Sequence, residues 1–192
     1  MKKIKEAAKN TDLAKLKEMV AKNPEHSSLT YGDGKSLLHL AALQANFNLV
    51  TFLVAKGAII DARDKYGQTP LHYASQKGQK KIASFLIKRG ADINARDTFG
   101  NTPLLYAVKK NQSELSALLV EEGADINARS IPGGSPLYWA AVKGNRELLK
   151  LLLEKGADVN TADYEGNTAL ALVIRGGDKE TAALLRRSGA KE

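Results

Sequence analysis

At 192 residues with no cysteine, the chain has room for one or two globular domains and none for a disulfide framework, a thiolate metal site or a cysteine nucleophile. Its net charge of +8, with a pI near 9.5, favours acidic partners or polyanions, although lysines and arginines are scattered among acids rather than gathered in a tail. No apolar run approaches a membrane span, and the basic start Met1-Lys2-Lys3-Ile4-Lys5-Glu6 meets no apolar stretch of the signal-peptide type; the expected location is the cytoplasm, with export by a route lacking such a signal left open.

In chain order, residues 1–29 read as an N-terminal capping pair of short helices over 4–9 and 12–21. Leu13, Leu16 and Val20 give the second of these an apolar stripe, and Asn23-Pro24 ends it. From there the chain repeats. Gly57, Gly90, Gly123, Gly156 and Gly189 are spaced by 33 residues, as are Leu38, Leu71, Leu104, Leu137 and Leu170. A fixed period of this length means a solenoid with one continuous core, divided here into internal repeats 30–62, 63–95, 96–128 and 129–161 and a C-terminal cap over 162–192.

The unit 63–95 shows why each repeat folds. Asp64-Lys65-Tyr66-Gly67 is a turn, Thr69 is a helix N-cap and Pro70 fits the first helical position. Leu71, Ala74 and Ser75 share one face of the first helix, and the two small residues let neighbours approach. Gly78 ends that helix. The second buries Ile82, Phe85 and Leu86 and closes on Gly90, after which residues 91–95 lead out to the next turn. In the last repeat Ala169 replaces the proline and Thr181 replaces the aliphatic residue of Ile82, Leu115 and Leu148, a polar outer slot that suits a cap.

Thr69-Pro70-Leu71-His72 with Gly90-Ala91-Asp92-Ile93-Asn94-Ala95 closely resembles the ankyrin repeat, and the likeness recurs in register at Thr102-Pro103-Leu104 and Ser135-Pro136-Leu137 and, more weakly, at Ser36-Leu37-Leu38-His39. The resemblance covers essentially the whole chain. It implies an all-α ankyrin-repeat solenoid of helix-turn-helix units with protruding β-hairpin loops. It also implies an inner concave groove at which family members recognise proteins, and it gives His39 and His72 a structural part near the helix cap. Their slot continues as Leu105, Tyr138 and Ala171, which suits neither a metal nor a catalytic ladder, and His26 stands alone. Asp64, Asp97 and Asp163 start turns, and no loop gathers the oxygens of a calcium site. The chain therefore reads as non-catalytic, with no cofactor or metal.

Function is expected on the surface that varies. Tyr73 lies two residues after Leu71, which turns it off the buried face, and its slot continues as Tyr106 and Trp139 between Leu40 and Leu172. Lys77, Lys110 and Lys143 form a second column; Tyr66, Phe99 and Pro132 mark the hairpin tips, with Arg63, Arg96 and Arg129 nearby. Tyr, Trp and Arg are the types enriched in interface hot spots. The candidate partner-binding residues are thus Tyr66, Tyr73, Lys77, Arg96, Phe99, Tyr106, Lys110, Arg129, Trp139 and Lys143. Three competing readings stay open: the rings pack on neighbouring repeats, the arginines pair with acids across the fingers, and the lysines are solvated helix ends. The expected function is protein binding by a chain monomeric when free, to a partner with an acidic and partly apolar surface. The alternative is a polyanion or nucleic-acid binder using the same columns.

Overall fold

The computed structural model describes residue 7 and residues 13–131 and 133–191. The helix expected over 4–9 lies outside the described residues apart from Ala7, which is buried. Eleven helices follow: α1 (Leu13–Lys22), α2 (Leu37–Leu43), α3 (Phe47–Ala55), α4 (Pro70–Gln76), α5 (Lys80–Lys88), α6 (Pro103–Lys109), α7 (Ser113–Glu121), α8 (Pro136–Val142), α9 (Arg146–Glu154), α10 (Ala169–Arg175) and α11 (Lys179–Arg187).

From residue 37 on each repeat contributes one short helix and one longer one, and the two kinds form separate layers. In the first layer α2 packs on α4, α4 on α6, α6 on α8 and α8 on α10. In the second, α1 meets α3, α3 meets α5, α5 meets α7 and α7 meets α9. The leucine slot that sets the period, from Leu38 to Leu170, is fully buried between them, and Ala74, Ala107 and Ala140 are small enough to let the first-layer helices touch. Burying one leucine contributes roughly 1.5–3 kcal/mol, so the repeated slots supply the stack's cohesion. Gly90 takes φ +90° at the end of α5, and its counterparts do the same, which explains the fixed glycine.

Two expectations change. Thr181 is not an outer polar slot: it is 1% exposed, and its hydroxyl donates to Asp178 and accepts from Arg146 Nε at 3.1 Å. A threonine is tolerated there because its hydroxyl is fully partnered. The hairpins also carry little β-structure. Thr30–Tyr31 and Lys35–Ser36 pair as a two-stranded antiparallel ladder, and Ala162 bridges Thr168. The fingers at Asp64 and Asp97 close on two backbone bonds each: Asp64 N–H to Gln68 O at 3.0 Å with Gly67 N–H to Asp64 O at 2.9 Å, and Asp97 N–H to Asn101 O with Gly100 N–H to Asp97 O, both at 3.0 Å.

Candidate protein-docking face

The fingers are organised by aspartate. Asp97 Oδ1 accepts from the backbone N–H of Phe99 and of Asn101, both at 2.8 Å, and Asp64 and Asp163 repeat the arrangement on their own i+2 and i+4 amides. One carboxylate oxygen thereby does the work of a strand ladder. Burial pushes the Asp97 carboxyl up, but hydrogen bonds from Tyr106, Asn101 and Phe99 outweigh it and hold the group below the usual carboxylate range.

The second oxygen of each aspartate explains the aromatic column, and here the outward placement is corrected. Tyr73 is 6% exposed, its hydroxyl donating to Asp64 Oδ2 at 2.7 Å. Tyr106 is half-buried, donates to Asp97 Oδ2 at 2.7 Å and accepts from Gln68 Nε2 at 2.6 Å. Burial and the adjacent carboxylates push both phenols far above the usual tyrosine range. Tyr138, in the histidine slot, reaches across to Asp163 at 2.8 Å and is pushed up to about 12, first by burial and then by that carboxylate. Tyr73 and Tyr106 thus hold the fingers to the helices. Trp139 occupies the same slot in the repeat that has Ser130 instead of an aspartate. Its Nε1 is shielded and has no hydrogen-bond partner among the described residues, because the carboxylate that receives Tyr73 and Tyr106 is missing. The Lys109 ammonium fills that place, 2.9 Å from Ser130 Oγ and 5.0 Å from the centre of the Trp139 ring. The serine has a local cause too: two residues on stands Pro132, which has no N–H for an aspartate to accept.

Among the described residues the finger arginines Arg63, Arg96 and Arg129 are in no ion pair. Arg63 donates to the carbonyl of Arg96 at 2.7 Å, Arg96 to that of Arg129, and Arg129 to that of Ala162 at 2.7 Å. Each guanidinium reaches the same carbonyl one repeat on, stapling finger to finger. Lys77, Lys110 and Lys143 are exposed at the C-caps of α4, α6 and α8, where a cation suits the helix end, and none is in an ion pair among the described residues.

A family profile described as ankyrin repeats (3 copies) matches residues 4–97 and 104–191, and another described as ankyrin repeats (many copies) matches 81–120. The chain belongs to the ankyrin repeat family. A comparison with curated proteins finds no match. Ankyrin repeats generally mediate protein–protein interaction and are generally non-catalytic. In this ankyrin stack His39 and His72 complete capping boxes: each Nδ1 accepts a backbone N–H at 3.0 Å, from Ser36 and Thr69, while Nε2 donates to Gln68 O at 2.9 Å and Asn101 O at 3.1 Å. Both rings are fully buried, which lowers their pKa and keeps them neutral. Among the described residues no group of three or more His, Asp or Glu could hold a metal ion, and no helix is long and apolar enough to cross a membrane.

The ankyrin fingers also expose apolar residues that the fixed period misses. Tyr66 and Phe99 are 42% and 51% exposed, and the strip continues as Ile131 and Tyr164 at 59% and 65%. These last two stand one position earlier in the turn than the 33-residue step points to, and Pro132, the tip residue that step selects, lies outside the described residues. The signal available in the sequence was an apolar residue anywhere in a four-residue turn of polar and glycine neighbours. Lys65 lies 4.8 Å over the Tyr66 ring and Arg129 lies 5.4 Å over that of Tyr164. With Asp64, Asp97 and Asp163 turned into finger bonds, the exposed charge of these turns is cationic at Arg63, Lys65, Arg96 and Arg129, against Glu165 alone.

Proposed function

We propose that the protein is a non-catalytic binding module, monomeric when free, that docks a partner protein presenting an acidic and partly apolar segment to its finger tips and first-layer helix ends. The observation that carries this is the exposed strip Tyr66, Phe99, Ile131 and Tyr164, bordered by Arg63, Lys65, Arg96 and Arg129, none of them in an ion pair among the described residues, with Glu165 as the exposed carboxylate of these turns. Large side chains held out in a row are unfavourable in water unless a partner covers them. Basic surroundings select an acidic partner and speed its encounter. Tyr73 leaves the set of contact residues because it is buried; Tyr66, Lys77, Arg96, Phe99, Tyr106, Lys110, Arg129, Trp139 and Lys143 stay, with Ile131 and Tyr164 added.

The test is affinity capture with the wild type beside a Phe99→Ser, Ile131→Ser, Tyr164→Ser triple variant, with and without nuclease. A protein retained by the wild type, lost from the folded variant and eluted by moderate salt is the expected result. Identical retention by both removes the tip assignment. Material that disappears on nuclease treatment transfers the function to nucleic acid.

A further inference from the structure

The 33-residue step breaks twice at one place on the first-layer helices. Val142 stands where Gln76 and Lys109 stand in the two preceding repeats, a slot that begins with Leu43, and Gly176 stands where Gln44, Lys77, Lys110 and Lys143 stand. Two long polar side chains are thereby absent from the same seam between α8 and α10, and a notch of about 510 Å³ opens there. Its walls are the apolar Ala141, Val142, Leu172 and Val173, with Arg175 and Asp178 at its ends. Val142 is 44% exposed and lies one helical turn along α8 from Trp139, so the notch extends the half-buried ring and the neighbouring Leu172 into one apolar surface.

Arg175 and Asp178 both line it, and its unpaired charge is cationic. Asp178 is committed: its carboxylate accepts from the Thr181 hydroxyl at 2.6 Å and from Arg146 at 2.7 Å, bonds that hold it ionised down to about 2. Arg175 and Lys143 are exposed, and no carboxylate among the described residues lies within ion-pair distance of either. An apolar hole with the unpaired Arg175 in its wall, and the unpaired Lys143 next to Val142 along the chain, is complementary to an aliphatic side chain flanked by carboxylates.

We infer that this notch is an anchor subsite that takes one aliphatic side chain of an acidic partner segment, and that Gly176 and Val142 determine this specificity. The inference rests on the proposal that the face binds a protein. Gly176 suits a test because its helical backbone carries no conformational demand for glycine: φ is −75°, and an added Cβ would meet Leu172 O and Val173 O at 3.4 and 3.6 Å. Gly176→Gln and Val142→Gln install the long polar side chains that the two middle repeats 63–95 and 96–128 carry in these slots, without adding charge.

The full chain, labelled at its amides and methyls, is titrated by NMR with acetylated Glu-Glu-Leu-Glu-Glu and with the matched peptide carrying alanine in place of leucine. The leucine peptide is expected to shift the methyl signals of Ala141, Val142 and Leu172. Replacing leucine by alanine, or introducing either glutamine, is expected to weaken binding about tenfold, while the amide spectra show both variants folded. Equal affinity for the two peptides, or unchanged affinity in both variants, overturns the notch even if Lys77, Lys110 and the finger tips respond. A peptide that moves no signal anywhere on the face overturns the notch and the docking proposal together. Notch methyls that respond equally to a single-stranded oligouridylate overturn the preference for a protein segment.

Discussion

Replacing Tyr106 by phenylalanine removes one oxygen atom and no packing, which isolates the bond between aromatic column and finger. In the folded chain that oxygen donates to Asp97 at 2.7 Å and accepts from the Gln68 amide at 2.6 Å. A hydrogen bond to a charged group contributes about 1.5–3 kcal/mol. The lower part of that range applies, because Asp97 Oδ2 keeps a second donor in Asn101 Nδ2 at 3.1 Å and the half-buried Gln68 can turn to water. A loss of about 1–2 kcal/mol lowers the melting temperature of a chain this size by about 3–6 °C. Thermal and urea denaturation followed by circular dichroism measure it, with Tyr66→Phe as the control, since that exposed ring sits at a finger tip. The pH dependence gives a second check. Asp97 is held below the ordinary aspartate value of 3.8, so its contribution is complete above that value and disappears as pH falls through the lower folded-state value. The Tyr106→Phe deficit should shrink over the same acid range. A variant no less stable than Tyr66→Phe at neutral pH refutes the role given to the hydroxyl, and a deficit indifferent to acid refutes the role given to the carboxylate.

His72→Leu strands the Thr69 N–H and the Asn101 carbonyl in the interior and should cost about 2–4 kcal/mol by urea denaturation. Because burial lowers the pKa of His39 and His72 from 6.5, their contribution is complete above that value and falls as the pH drops towards the folded-state values. The His39→Gln, His72→Gln double variant should lose that part of the acid slope. Arg63→Lys keeps the charge but cannot reproduce the two bonds to Gly67 O and Arg96 O, so hydrogen exchange at the Thr98 amide, which bonds Tyr66 O, should quicken several-fold while global stability changes by less than about 1 kcal/mol. Unchanged exchange would show that the staple does not hold the finger.

The helix-turn-helix units, the buried leucine slot and the glycine ends were all legible from the period, because each answers a demand that every repeat makes alike. The orientation of Tyr73 was not. Spacing from Leu71 places it off one helix's buried face, but its surroundings are set by Asp64, nine residues back and folded over it by the finger. The same blindness hid the arginine staples, whose acceptors are backbone carbonyls and leave no trace in side-chain pattern. Thr181 was misread because a hydroxyl in an aliphatic slot looks like exposure until Asp178 and Arg146 are seen to partner it. Ile131 and Tyr164 escaped because a turn tolerates a one-residue slip that a packed helix does not.

The guanidinium staples bear on how fast and how selectively a partner is taken. A row of fingers each tied to the next has already given up its conformational entropy before any partner arrives, so the ordering cost of association falls on the other molecule. A flexible acidic segment would then be drawn in by charge and dissociate readily at raised salt, whereas a segment already rigid in the matching spacing would stay. On the proposed docking reading, discrimination between partners on such a rigid comb would reside in residence time more than in encounter.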